Sequence, residues 1–211
     1  PRLSSAASDV YKRQTYNNEQ LTKLYIPSKA SASTPIKGYR KNDNDSLYYN
    51  DKLDFMDSMK GSEIIGFFNN GAIDSLRIHG MAQTLYHIFD DSVYQGKNDA
   101  SGDTIIMNFA NNELERLNIL DGAEGVYIPD SMATDMKSPI SYSADHIKYI
   151  LKDKKSDFHG NANIEQDKTK LSSGFIKIDW QSNMLQALPF FDNDTAQEST
   201  APVIKEEGRD P

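Results

Sequence analysis

The chain has 211 residues, of which 31 are acidic and 23 are basic, so its formal net charge is −8 at pH 7. A nucleic-acid groove needs a basic stripe, and an acidic chain with dispersed lysines argues against one. The chain contains no cysteine, which excludes a disulfide scaffold and a thiolate metal site. It has no apolar run of about 18 residues, so no membrane-spanning helix is predicted.

The first 14 residues need to be considered separately from the rest of the chain. Residues 4–14, SSAASDVYKRQ, resemble the in-frame translation of a transposase adapter used to make sequencing libraries. Residues 1–14 are therefore expected to be an adapter-derived scar, and they are left out of the fold prediction. The natural chain is accordingly expected to be truncated on its N-terminal side.

Residues 15–52 are expected to form the divergent start of a repeat that includes a long loop. Residues 21–30 match residues 73–82 at three apolar pairs: Leu24 with Leu76, Ile26 with Ile78, and Ala30 with Ala82. Residues 31–50 are rich in Ser, Asn and Asp, which favour turns, so a loop is predicted there.

An internal repeat dominates the middle of the chain. Residues 61–86 overlay on residues 102–127 almost without gaps, and residues 176–188 form a third, weaker copy. The matched pairs include Gly61 with Gly102, Ile64 with Ile105, Phe68 with Phe109, and Ile78 with Ile119. Such self-similarity is typical of one supersecondary unit stacked on itself. A stack presents the same surface repeatedly, which suits a long track better than a single catalytic point.

Each repeat is predicted to be a β-hairpin with one apolar stripe, because its apolar residues recur with a period of two. Asn69-Asn70-Gly71 separates the two halves of the first copy, and Asn and Gly tolerate the positive φ of primed hairpin turns. Residues 140–166 also alternate. The predicted fold class is therefore all-β, built from stacked β-hairpin repeats.

Small residues occupy positions in the apolar stripes where bulky ones would be expected. They are Gly80, Ala82, Ala123, Gly125, Gly160 and Ala162. One interpretation is close packing of a tightly wrapped sheet. The other is a groove whose spare volume a slender apolar ligand fills. The residues alone leave both interpretations open.

The repeat domain is expected to span residues 53–189. Residues 190–211 are polar and contain Pro202 and Pro211, so they are predicted to be a linker at which the chain is truncated.

Two segments of the repeat domain resemble a known family. Residues 159–187 and 59–86 are similar to the repeat unit of the OstA-like (organic solvent tolerance) proteins of lipopolysaccharide transport. The shared pattern is Gly160-Asn161-Ala162, then the apolar strand 176–180, then Ser182-Asn183. The resemblance implies either a periplasmic bridge protein or the N-terminal domain of the outer-membrane assembly protein. It implies an open, taco-like β-jelly roll, whose sheets stack edge to edge and whose hydrophobic interior carries acyl chains.

The resemblance also implies partners and a location. The expected partners are lipopolysaccharide, through its lipid A acyl chains, and other jelly-roll components of the bridge, through edge-strand addition. The expected location is the periplasm, either free or attached to the outer membrane. Burying one CH₂ group contributes about 0.8 kcal/mol, so a row of apolar stripes can hold a chain without a single deep pocket. The candidate lipid-facing residues are Ile64, Phe68, Leu76, Ile78, Ile105, Met107, Phe109, Leu117, Ile119, Ile176, Ile178 and Trp180.

The sequence gives little sign of catalysis. The four histidines share no ligand spacing, and no nucleophile elbow, Walker loop or zinc-protease motif occurs. We therefore predict no catalytic residue, no metal site and no cofactor. The first alternative is a purely structural β-solenoid or adhesin-type repeat with a filled core. The second is a β-sandwich carbohydrate hydrolase module, which would need a carboxylate cluster at one end of the sheet.

Overall fold

The computed structural model describes residues 12–41, 46–49, 55–130, 132, 136–182, 184–189 and 201–206. Most of the expected scar, residues 1–11, and most of the expected linker therefore lie outside the described residues. Within the described ranges, no apolar helix of membrane-spanning length occurs.

The described residues form thirteen β-strands. Their bounds are β1 Arg13–Asn17, β2 Gln20–Ile36, β3 Tyr39–Lys41, β4 Leu47–Tyr49, β5 Phe55–Asn69, β6 Ala72–Asp90, β7 Val93–Ala110, β8 Glu113–Pro129, β9 Ile140–Ile150, β10 Lys155–Gln166, β11 Thr169–Asp179, β12 Met184–Leu188 and β13 Val203–Glu206.

These strands belong to one open sheet in the order β1-β2-β5-β6-β7-β8-β9-β10-β11-β12. Its long strands are antiparallel to their neighbours, and β13 pairs with the free half of β11. The short β3 pairs with β4 and, in parallel, with β7. The predicted all-β, open, taco-like fold is therefore confirmed.

The three predicted hairpins are present as β5–β6, β7–β8 and β11–β12. Asn70 and Gly71 have φ of 50° and 77°, and Asn111 and Asn112 have φ of 52° and 64°. These positive values are those of primed two-residue turns, which follow the twist of the flanking strands. Asn183, in the third turn, lies outside the described residues.

The loop predicted for residues 31–50 is wrong in its first part. Residues 31–36 continue β2 and pair with β5 from Ser31↔Lys60 to Ile36↔Phe55. Ala30 and Ala32 are buried, so core packing overrides the turn preference of the serines around them. Residues 39–41 and 47–49 form the β3–β4 hairpin, whereas residues 42–45 lie outside the described residues.

Every second strand contains a bend made by two consecutive residues with positive φ. In β2, β6, β8 and β10 these pairs are Ser28-Lys29, Gly80-Met81, Asp121-Gly122 and Gly160-Asn161. An alanine follows each pair, and the strand register shifts at each one. Such bulges bend a strand and increase its twist. The aligned bends divide the sheet into two arms.

We call the half of the sheet toward the β5–β6 and β7–β8 turns the aliphatic arm, and the other half the alanine arm. Tyr142 and Tyr149 lie seven residues apart in β9, one on each arm, yet their ring centroids are 6.3 Å apart. In a straight strand their Cα atoms alone would be about 23 Å apart. The strand therefore folds back on itself, and the inner faces of both arms share one core cluster.

A polar and aromatic cap covers the far end of the alanine arm. Phe55 stacks on Tyr94 with ring centroids 4.5 Å apart. The Arg40 guanidinium donates hydrogen bonds of 2.8 and 3.2 Å to the buried carboxylate of Asp130. A buried charge is stable only when it is paired in this way, so the pair fixes the β3–β4 hairpin to the sheet.

Candidate functional site

The inner face of the aliphatic arm contains most of the residues predicted to face lipid. Nine of the twelve are buried: Ile64, Leu76, Ile78, Ile105, Met107, Leu117, Ile119, Ile176 and Ile178. Phe68 and Phe109 are half-buried at the outer end of the arm, beside the hairpin turns. The structure thus brings these eleven side chains together as one ladder across neighbouring strands.

Trp180, the twelfth predicted residue, lies just beyond the end of β11. It is 39% exposed, and its indole Nε1 donates a 2.8 Å hydrogen bond to the buried Oγ of Ser156. Its backbone N–H donates to the carbonyl oxygen of Lys154 at 2.8 Å. Trp180 therefore covers one end of the inner face instead of forming a rung of the ladder.

The opposing alanine arm presents small residues. Ala30, Ala82, Ala123 and Ala162 follow the four bends and are at most 2% exposed. Large side chains on one arm therefore meet small ones on the other, which lets the two arms approach closely.

Near the bends, neighbouring side chains also fill the space beside two glycines. A Cβ at Gly61 would lie 2.6 Å from Cγ2 of Ile78, and one at Gly102 would lie 2.6 Å from Cγ2 of Ile119. Both distances are far below van der Waals contact. In this closed arrangement, the small residues beside the bends serve close packing.

Tyrosines meet where the two arms face each other. A side chain at Gly125 would collide with the Tyr142 hydroxyl, so this glycine lets Tyr142 cross over β8. The Tyr142 hydroxyl then donates a 2.7 Å hydrogen bond to Oδ1 of Asn98 on β7. Burial raises the pKa of Tyr142 to about 12. Sequence reasoning did not select Tyr142, because nothing local indicates that it crosses a glycine on a neighbouring strand.

Tyr149 reaches the same region from the aliphatic arm. Its ring lies 6.4 Å from that of the buried Phe158, in an edge-to-face arrangement. Burial raises the pKa of Tyr149 well above its ordinary value, and the nearby Tyr142 raises it further. Tyr149 is therefore a neutral phenol at any physiological pH. The sequence showed its period-two position but gave no sign of what it contacts.

The rim of the aliphatic arm is its accessible apolar part. Phe68, Phe109, Leu114 and Leu151 are partly buried and pack against the core cluster. They lie at the strand ends nearest the hairpin turns. Their side chains leave part of this apolar end of the arm open to solvent.

The outer face of the sheet carries both polar and apolar side chains, among them Arg77, Ile65 and Phe67. An open depression of about 620 Å³ lies over the alanine arm, and most of its lining residues alternate with buried inner-face residues. None of the twelve predicted residues lines it. His146 and His159 lie elsewhere on this face, with stacked rings 5.7 Å apart. Burial lowers the pKa of both histidines.

Within the described residues, both ends of the sheet are unpaired edges. All five residues of β1 are exposed at one end. At the other end, β12 and β13 expose large apolar side chains: Met184, Leu185, Leu188, Val203 and Ile204. An exposed apolar edge is a surface on which another strand can add. Among the described residues, no group of three or more histidine or acidic side chains is arranged to hold a metal ion.

Comparisons with known proteins agree with this geometry. No protein-family model and no curated protein sequence matches the chain. Among solved structures, the chain is similar to LptH from Pseudomonas aeruginosa, the LptA-homologous periplasmic component of the conserved lipopolysaccharide transport device. The match has a TM-score of 0.54 at 12% identity and covers 71% of this chain and 93% of LptH. The predicted resemblance to lipopolysaccharide transport proteins is thereby confirmed at the level of the fold.

Proposed function

We propose that this protein is a periplasmic lipopolysaccharide-binding domain, which shelters acyl chains between its two arms and passes the lipid toward the outer membrane. The observation that carries the proposal is a fold shared with LptH, combined with a ladder of aliphatic residues on the inner face. Acyl chains gain about 25 cal/mol per Å² of apolar surface removed from water, which such a face can supply.

Entry of an acyl chain requires the arms to separate, because nine of the twelve predicted residues are already buried in the closed state. The half-buried Phe68 and Phe109 at the rim are the first contacts that an incoming chain would make. The sealed residues become available as the seam between the arms opens. The twelve residues therefore remain our proposal for the lipid-facing surface, with Phe68 and Phe109 as its entrance.

The free edges support a proposal about partners. We propose that other jelly-roll components of the transport bridge add strands at β1 and at the β12–β13 edge. Ile204 is 69% exposed and Met184 is 55% exposed, so the second edge leaves apolar surface to be covered. Pairing with another sheet would continue the inner face from one domain into the next. Attachment to the outer membrane would then be made through such a partner.

Lipid binding is tested by purifying the full chain from a bacterial periplasm under native conditions. Any lipopolysaccharide that co-purifies is then measured by mass spectrometry. Phe67 and Phe68 offer a matched pair, because they are neighbours on opposite faces of β5. Phe67 lies on the outer face, with the Arg77 guanidinium 5.2 Å from its ring centroid. We expect bound lipid in the wild type and in Phe67→Asp, and its loss in Phe68→Asp.

A purely structural repeat with a filled core is the second candidate function. The observation that favours it is the burial of nine candidate residues by the protein's own side chains. This candidate predicts a folded, lipid-free protein whose two phenylalanine variants behave alike. Lipid bound by the wild type and lost only from Phe68→Asp would reject it.

A further inference from the structure

One buried hydroxyl on the inner face has no hydrogen-bond partner. Among the described residues, three fully buried side-chain polar atoms lack a partner: His146 Nε2, Asp157 Oδ1 and Tyr149 Oη. The first two belong to residues of the outer face. The Tyr149 hydroxyl is therefore the one that is directed into the apolar space between the arms.

Three other inner-face hydroxyls have hydrogen-bond partners. Ser156 accepts a hydrogen bond from Trp180, Ser173 donates one to the backbone oxygen of Leu188, and Tyr142 donates one to Asn98. A buried polar group without a partner costs about 1–3 kcal/mol, and such groups in native structures require an explanation. Phenylalanine would fill the same space as Tyr149 without this cost.

The surroundings of Tyr149 supply further polar atoms. Tyr142 and Asn98 both lie near enough to the Tyr149 hydroxyl to shift its pKa through hydrogen-bond interaction, but neither approaches it with the distance and angle of a formed hydrogen bond. The amide nitrogen of Asn98 makes no hydrogen bond within the described part of the chain. A half-buried amide donor from one arm and a buried hydroxyl from the other therefore face the same seam, close to each other.

We propose that Tyr149, Tyr142 and Asn98 form a polar station inside the lipid-binding face, which hydrogen-bonds a hydroxyl group on a bound acyl chain. The protein thus selects hydroxylated acyl chains over plain ones. This inference rests on the proposed function, because it assumes that acyl chains enter between the arms.

A hydroxyl group on an acyl chain fits both the Asn98 amide and the Tyr149 phenol. It can accept a hydrogen bond from the Asn98 amide and share another with the Tyr149 phenol, which both donates and accepts. A plain methylene chain at the same depth would leave both groups unpaired in an apolar environment. A site built to hydrogen-bond a hydroxyl rejects the analogue that lacks it, because its own polar groups then remain unsatisfied.

The test compares two probes of equal length, tetradecanoic acid and 3-hydroxytetradecanoic acid. Their dissociation constants are measured for the full chain by displacement of a fluorescent fatty acid. We expect the wild type to prefer the hydroxylated probe by about fivefold, the equivalent of one net hydrogen bond. Tyr149→Phe should lose this preference and keep its affinity for tetradecanoic acid.

Tyr25→Phe is the matched control. Tyr25 is an outer-face tyrosine whose hydroxyl donates to Glu63 at 2.9 Å, so its removal should leave the preference unchanged. Equal binding of both probes by the wild type would overturn the inference and leave the proposed function standing. A preference retained in Tyr149→Phe would also overturn it. Binding of neither probe would overturn the inference and the proposed function together.

Discussion

Cγ2 of Ile119 occupies the space that a side chain at Gly102 would need, since a Cβ there would lie only 2.6 Å from it. Ile78 and Gly61 repeat the same relationship one hairpin earlier. A fully buried isoleucine on one strand thus fits over a glycine on the next, close to the bend in each repeat. This fit links the sequence repeat directly to the folding of the sheet.

Gly102→Ala should destabilise the protein. The added methyl group would displace Ile119, which is 0% exposed, and overpacking of this kind costs about 1–3 kcal/mol. Urea unfolding followed by circular dichroism gives the free energy of unfolding. An unchanged midpoint would show that the Ile119 side chain can move aside.

The control for this variant is Gly122→Asn. Gly122 has φ of 69°, and a Cβ there would meet nothing within 4 Å. Asn tolerates this conformation, and Asn161 adopts it at the same position of the bend in β10. We expect the change in unfolding free energy to stay below about 0.5 kcal/mol.

Tyr149→Phe should leave the stability of the lipid-free protein unchanged or raise it by about 1 kcal/mol, because it removes a buried hydroxyl without a partner. Tyr142→Phe should lower the stability by about the same amount, because it deprives Asn98 of a donor. Thermal unfolding of both variants measures the difference. Equal losses in the two variants would show that the Tyr149 hydroxyl is bonded in solution.

The stacked pair His146 and His159 should make the protein sensitive to mild acid. Burial lowers both pKa values below 6.5, so the unfolded chain binds more protons than the folded protein as the pH falls. Their stabilising contribution is therefore complete above pH 6.5 and is lost as the pH falls through the lowered values.

The check is urea unfolding of the wild type and of the double variant His146→Gln/His159→Gln, at about pH 7.5 and about pH 5.5. We expect the wild type to lose more stability between the two pH values than the variant does. The same pH dependence in both proteins would assign the acid sensitivity to other groups.

Linking the arms should block lipid uptake. The chain has no cysteine, so the double variant Tyr142→Cys/Tyr149→Cys carries the only two thiols. A short bis-maleimide that joins them should abolish binding of tetradecanoic acid, because the seam can no longer open. The two single variants, treated identically, should still bind the probe. Undiminished binding by the linked protein would place the lipid elsewhere.

The hairpins could be predicted because their signals are local. Alternation places Ile64, Ile105 and Ile176 on one face, and Asn70-Gly71 specifies a primed turn. These features depend on side-chain period and backbone preference within a few residues. The repeat then extends the same assignment to the second copy.

The bends were harder to predict. Gly80 and Gly160 suggest positive φ, but Ser28 and Lys29 adopt it with no such signal. Residues other than Gly, Asn and Asp rarely adopt this conformation, so only the packing of the whole sheet explains it. For the same reason, the extension of β2 to Ile36 was missed.

The candidate site was predictable as a set of residues but not as a surface. Periodicity selected Ile78 and Ile119 correctly as inward-facing, but it could not show that the opposite arm already covers them. Contacts between the two arms join residues whose proximity the alternating pattern does not predict. Tyr142 and Phe158 are an example, with ring centroids 5.6 Å apart. Such contacts arise only after the strand has folded back.

Because the bend recurs on alternate strands, the length of the sheet can change without a change in its cross-section. The β5–β6 and β7–β8 hairpins each carry a bend, and adding one such hairpin would lengthen the sheet by two strand spacings, about 10 Å. The width between the arms would not change, since the residues within each hairpin set it. A sheet of this kind can therefore span gaps of different size by varying its number of hairpins, with the same width between the arms throughout.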